Sequence, residues 1–297
     1  MIRVILVVCT ALIYGVDGNC QLKKFYTVKN APTYDTIDFA IKATSGTCFI
    51  KPSHHDDPVT IYGNPSFSEV NPNFHTSVLG KTNFIVLELE DYAKNGLSHA
   101  ITYNMFSEDE KSEKDFWKVY LTEDKIYNLN LNYGVGDAHI NLSDLAITKF
   151  KLESGSANVN ISYDEGKMNR CEMDTFAVSV DMGTITVDRM HLSKVKYVLA
   201  EVGFGTVILD FSEGIDHKCK IKATIGAGKL KVRVPEDSAP SIVNYKNSPL
   251  CKMSIVEGYE KVDEGVYVNK SFSPDATNLL EFELDVALGN IIFEYIK

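Results

Sequence analysis

The sequence predicts an all-β protein: a solenoid-like or rack-like stack of short strands with glycine corners at a period of about 20–28 residues. Three observations predict it. Apolar and polar residues alternate in short bursts from Thr36 onward, the period-2 signature of half-buried strands. Glycine steps recur down the second half of the chain. Sustained i, i+3, i+4, i+7 patterns are missing, and only the charged segment Ser107–Lys118 reads as a short helix or a solvated loop.

In chain order, Ile37–Ile41, Phe84–Leu89 and Val119–Leu121 read as strands. Between the first two, Lys51–Val78 holds Pro52, Pro58, Pro65 and Pro72, which breaks regular pairing and leaves a long loop or edge segments. Tyr127–Tyr133 is a clean strand that runs into Gly134-Val-Gly136, and a second strand covers Leu145–Leu152. The same step returns at Gly155, Gly183, Gly203-Phe-Gly205 and Gly226-Ala-Gly228. Successive starts from Gly134 lie 21, 28, 20 and 23 residues apart, so each unit holds two or three short strands and hides its apolar face only against a neighbour. Each of these glycines supplies a positive φ or a close backbone approach at a corner.

A finer repeat agrees. Glu165-Gly166 through Arg170-Cys171 matches Glu213-Gly214 through Lys218-Cys219 in length and frame, and the two are read as copies of one corner. Pro235–Pro240 ends the regular run, and Ser241–Val268 reads as an irregular excursion. Leu280–Val286 and Ile291–Tyr295 return as strands around Gly289, read as the final layer or cap. The organisation is then 1–18 as a signal peptide, 19–126 as an irregular β-rich section, and 127–297 as the glycine-punctuated body.

Apolar residues make up 44% of the chain and charged residues 24%, which places it among globular proteins. A formal net charge of −10 repels phosphate polymers and anionic lipid surfaces, so nucleic acid is not an expected partner. Arg3 followed by the apolar run Val4–Val16 has the length of a secretory h-region and is too short to span a bilayer. Cleavage after Gly18 would make Asn19 the first mature residue, and export to the periplasm, the outer membrane or the medium follows.

Cys20 directly after the h-region admits a competing reading as a lipidated cysteine, the one route by which the chain would reach a membrane. Asp17 and Asn19 match a lipobox poorly. Export leaves Cys20, Cys48, Cys171, Cys219 and Cys251, an odd count in an oxidising compartment. With Cys20 lipidated, the other four allow three disulfide connectivities.

Gly134-Val-Gly-Asp, the run Gly226-Ala-Gly-Lys-Leu-Lys-Val-Arg-Val-Pro, and Leu288-Gly-Asn-Ile-Ile-Phe-Glu-Tyr resemble the bacterial toast-rack or adhesin-like families of envelope proteins, whose domain has no assigned function. The resemblance covers about half of the chain. It implies a sheet-rich envelope protein with an acidic-polar outer face, sometimes lipid-anchored, and with no established enzymatic activity. The Pro- and His-containing N-terminal region and the five mature cysteines depart from that pattern.

Chemistry-bearing groups are sparse. His54-His55-Asp56-Asp57 is the densest set of metal-type ligands, yet adjacent strand positions face opposite ways and only a loop would let the two imidazoles converge. No metal or cofactor is expected. Glu88 and Glu90, or Glu281 and Glu283, share a strand face and read as solvated pairs rather than a glycosidase couple. Most tyrosines and phenylalanines, such as Tyr127, Tyr133 and Phe211, fall where core packing is expected.

The resulting expectation is a non-enzymatic structural or interaction module of the envelope whose partner is a protein or a glycan. The alternative is a carbohydrate-active β-helix enzyme, a lyase or hydrolase, drawing on basic positions such as Lys149, Lys151, Lys229, Lys231 and Arg233. A concave groove with converging Asp, Arg and Lys would mark the enzyme. A flat face or strand edge with exposed aromatics would mark the binding module.

Overall fold

The computed structural model describes residues 23–63, 72–89, 116–235, 240–246 and 251–296. The signal-peptide reading, Cys20 and most of Ser107–Lys118 fall outside them. The described strands are β1 Lys23–Val28, β2 Thr36–Ser53, β3 Val59–Gly63, β4 Asn73–Leu79, β5 Thr82–Leu89 and β6 Phe116–Thr122. They continue with β7 Ile126–Asn141, β8 Ala146–Ser162, β9 Met173–Val187, β10 Val195–Val202, β11 Thr206–Asp210, β12 Cys219–Ile225 and β13 Lys229–Arg233. The last are β14 Ser241–Lys246, β15 Lys252–Ser254, β16 Tyr259–Asp263, β17 Val266–Asn269, β18 Leu280–Val286 and β19 Asn290–Glu294. All belong to one all-β sheet, as the alternation predicts.

The sheet is folded into two walls. In the first, β5, the front half of β2, the front halves of β7, β8 and β9, then β10, β12, β18 and β14 stack in parallel. In the second, β6, the rear halves of β2, β7, β8 and β9, then β11, β13, β19 and β15 do the same. Parallel strands need their faces covered, and each wall covers the other. Along the first wall Phe39, Leu129, Phe150, Phe176, Val198, Ile221 and Phe282 fall in register and are fully buried. Phe150 and Phe176 stack at 4.8 Å, and Phe282 of the first wall meets Phe293 of the second edge-on at 5.2 Å.

The passage between walls is where the predicted glycines stand. Gly134, Gly136, Gly155 and Gly183 lie inside β7, β8 and β9, while Gly203 with Gly205, Gly226 with Gly228, and Gly289 sit between β10 and β11, β12 and β13, and β18 and β19. Gly136 shows the constraint most sharply. Its φ is +125°, and a Cβ there would lie 2.0 Å from the carbonyl oxygen of Gly46, its neighbour one rung away. Ordinary rung spacing of about 4.8 Å leaves no room for a side chain aimed along the stack.

Rung order departs from chain order at both ends. β2 lies between the β5–β6 rung and β7, so residues 36–53 are sandwiched by segments that follow them in sequence. It thereby ties the 19–126 section into the ladder of the 127–297 body. At the other end β18–β19 is not the final layer that its C-terminal position suggested. The expected excursion supplies β14 and β15, which take up the free side of β18 and β19, and the β16–β17 hairpin closes on β14. Strand partners on both sides of Leu280–Asp285 in β18 and of Asn290–Ile292 in β19 take up backbone groups that a terminal layer leaves open.

Candidate functional site

The residues first considered for chemistry are dispersed. Asp57 pairs with Lys29 at 2.9 Å, His55 meets the Tyr120 ring edge-on at 6.0 Å, and no group of three His, Cys, Asp or Glu is placed to hold a metal among the described residues. Glu88 accepts a hydrogen bond from the Asn73 amide, and Glu90 lies outside the described residues. Glu281 and Glu283 both face Lys220, at 3.3 and 2.6 Å.

The thiols of Cys48, Cys171, Cys219 and Cys251 are free. Burial pushes the Cys48 and Cys219 thiols up to about 12, which keeps both neutral and unreactive. Cys171 precedes β9 and Cys219 opens β12, with β10 between those rungs. The layers therefore hold the two cysteines apart.

Among the described residues, hollows open on the surface at two places that bear on chemistry. One, of about 570 Å³, lies at the C-terminal closure against Tyr245, Lys246, Cys251, Lys261 and Tyr267. The other, of about 290 Å³, lies at the first corner beside Glu153, Ser154, Ser179 and Asp181. Neither lining contains an arginine.

The distinctive chemistry is on the solvent face of the second wall, over its N-terminal rungs. In β6, Trp117, Val119 and Leu121 point inward and are buried, which turns Phe116, Lys118 and Tyr120 outward. In β2, inward Cys48 and Ile50 turn Phe49 and Lys51 outward, and in β7 inward Ala138 and Ile140 do the same for His139. Register then brings these side chains together: Phe49 lies opposite Lys118 on one side and His139 on the other, Lys51 lies opposite Tyr120, and Tyr62 of β3 lies opposite Lys118.

The Phe49 and His139 rings stack at 5.2 Å with planes 18° apart. The Lys51 and Lys118 ammonium groups sit 5.5 and 5.8 Å from the centre of the Phe49 ring, and Lys118 also lies 5.4 Å from that of Phe116. Tyr62 meets Tyr120 edge-on at 5.6 Å. The result is an outward cluster of aromatic rings and cations across four adjacent strands, β3, β6, β2 and β7, about 14 Å wide at ordinary strand spacing.

Such a face is where a polar surface is expected, because the inward face already meets the need for apolar burial. Residues 71–188 match the N-terminal domain of toast_rack, DUF2154. The toast-rack resemblance is thereby shown, and β6 and β7, which carry Lys118, Tyr120 and His139, lie inside the matched segment, as does Gly134-Val-Gly-Asp. The Gly226 and Leu288 motifs lie beyond it.

Among solved structures, the chain is similar to a candidate cell adhesion protein from Clostridium sporogenes at 15% identity and a TM-score of 0.43, covering 93% of this chain and 100% of that one. It is similar to a candidate adhesin from Bacteroides fragilis at 16% identity and a TM-score of 0.32, covering 92% and 97%. A third, a candidate lipid-binding protein from Parabacteroides distasonis, has 13% identity, a TM-score of 0.34 and coverage of 95% and 98%. No curated protein sequence matches the chain.

The outward aromatics were not singled out from the sequence. The signal that finds them is parity: Phe116 and Tyr120 alternate with Trp117, Val119 and Leu121, so both sets cannot be core. The exposed tip Phe204, 77% accessible between Gly203 and Gly205, is a second apolar residue that alternation alone does not place.

Proposed function

We propose that this protein is an exported, non-enzymatic, adhesin-like interaction module, and that the Phe49–His139–Tyr120 face with Lys51 and Lys118 is its contact surface. The observation that carries this is the outward cluster itself. Rings set between cations on a rigid sheet lose little side-chain freedom when a partner docks, and aromatic side chains are over-represented at binding hot spots. The toast-rack match supports an envelope setting, and the Arg3–Val16 leader supports export.

Binding of the purified full chain to intact bacterial and host cells tests the proposal. The Phe49→Ala, Tyr120→Ala double variant, with its fold checked by circular dichroism, is expected to lose at least about tenfold in cell binding. Equal binding by the folded variant would overturn the assignment of the face. Turnover of an oligosaccharide by the wild type would overturn the non-enzymatic reading.

A further inference from the structure

Among the described residues, four strands pair on one side only: β1, β4, β15 and β16. An open edge is a template for another strand, and natural sheets blunt it with charge, proline, bulges or brevity. β15 is three residues long. β16 carries exposed Glu260, Lys261 and Asp263 and a register shift against β17. β1 is likewise irregular against β3.

β4 has none of these devices. Its sequence, Asn73-Phe-His-Thr-Ser-Val-Leu79, contains no Asp, Glu, Lys, Arg or Pro, and all seven of its residues pair with β5 without a shift. Its last five residues are exposed, with Val78 51% and Leu79 75% accessible. Among the described residues, β4 is the one strand of the four left competent for pairing.

We infer that β4 is a self-association edge, where a second copy of this chain pairs antiparallel through its own β4. The strand fits itself. A two-fold centred on Thr76 sets Thr76 opposite its own copy and Phe74 opposite Val78 of the other chain, aligning residues that already share the inward face through Leu87, Ile85 and Asn83 of β5. Aromatic with β-branched and Thr with Thr are favourable cross-strand pairs, and no like charges meet. The same operation on β16 would oppose charged side chains. The pairing is independent of the proposed contact surface, although β5 and β6 flank the same β2 rung, so a pair would present two contact faces and gain avidity.

Sedimentation equilibrium of the full chain tests the inference. A reversible dimer is expected, strengthened by salt because each copy carries a net charge of −10. His75→Lys with Ser77→Lys, both at exposed positions, should raise the dimer dissociation constant at least about tenfold while leaving the thermal melt in place. Glu260→Lys on β16 should leave it unchanged. Hydrogen exchange offers a readout without substitutions: the alternate β4 amides that face away from β5 should lose protection on dilution. A monomer at every salt concentration, or a dimer that both lysines leave intact, would overturn the inference.

Discussion

The two ends of the second wall share one inner face and differ in the outer one. Inward, Cys48, Ala138, Val159, Ile185, Val207, Leu230 and Ile291 form a single ladder from β2 to β19. Outward, the C-terminal rungs neutralise themselves: Lys231 pairs with Glu294 at 3.0 Å, and Arg233 reaches Glu294, Asp188 and Asp210 at 3.4, 3.6 and 3.7 Å. The N-terminal rungs instead set Lys51 and Lys118 against rings. Stacking specifies only the inward set, so the outward set is free to differ from rung to rung, and that freedom is where recognition can be built.

The largest effect should come from the shared interior. Phe176 is fully buried and stacked on Phe150, so Phe176→Ala should cost about 3–5 kcal/mol. The experiment also asks whether the ends are one cooperative unit. Trp117, the single tryptophan, is buried at the N-terminal end and reports there, while circular dichroism reports the whole sheet. Coincident shifts of both denaturant transitions are expected. A tryptophan transition left in place would show that the rungs open independently, as nearest-neighbour stacks can.

Next comes the corner. Gly136→Ala combines a φ of +125° with a carbonyl 2.0 Å from the new Cβ, whereas Gly166 has a φ of +71° and open space around it. The first substitution should cost at least about 2 kcal/mol and the second about 1 kcal/mol, read as shifts in denaturation midpoint. Equal costs would show that backbone strain, and not contact between rungs, is what the corner glycine relieves.

Much of this architecture was legible in the sequence. Alternation placed the strands around Ile37, Phe84 and Tyr127, and of the three motifs that carried the toast-rack resemblance Gly134-Val-Gly-Asp lies inside the matched segment. The order of rungs was not legible. Periodicity says which face of a strand is apolar, not which strand lies beside it, so nothing in Thr36–Ser53 announces that β2 is sandwiched between later segments, and nothing in Leu280–Glu294 announces two buried edges. The outward cluster was hidden for a related reason. Tyr120 between Val119 and Leu121 reads as one apolar run, and only the fixed inward position of its neighbours reveals that the ring faces solvent.

The smallest expected effects separate the two outer faces most cleanly, because they differ in kind. Arg233→Gln removes the guanidinium that serves three carboxylates, at a cost of about 1 kcal/mol that should shrink as salt screens the half-exposed network. Lys118→Gln loses only contacts with rings, about 0.5 kcal/mol, and should barely move the melt. In the cell-binding assay the order reverses: Arg233→Gln should bind like the wild type and Lys118→Gln should bind more weakly. Stability lost at one end and binding lost at the other is the outcome that assigns the C-terminal charges to holding the stack and the N-terminal cations to a partner. If Lys118→Gln instead destabilises the chain as much as Arg233→Gln and binds normally, the ring-and-cation cluster is simply another way of closing the sheet surface.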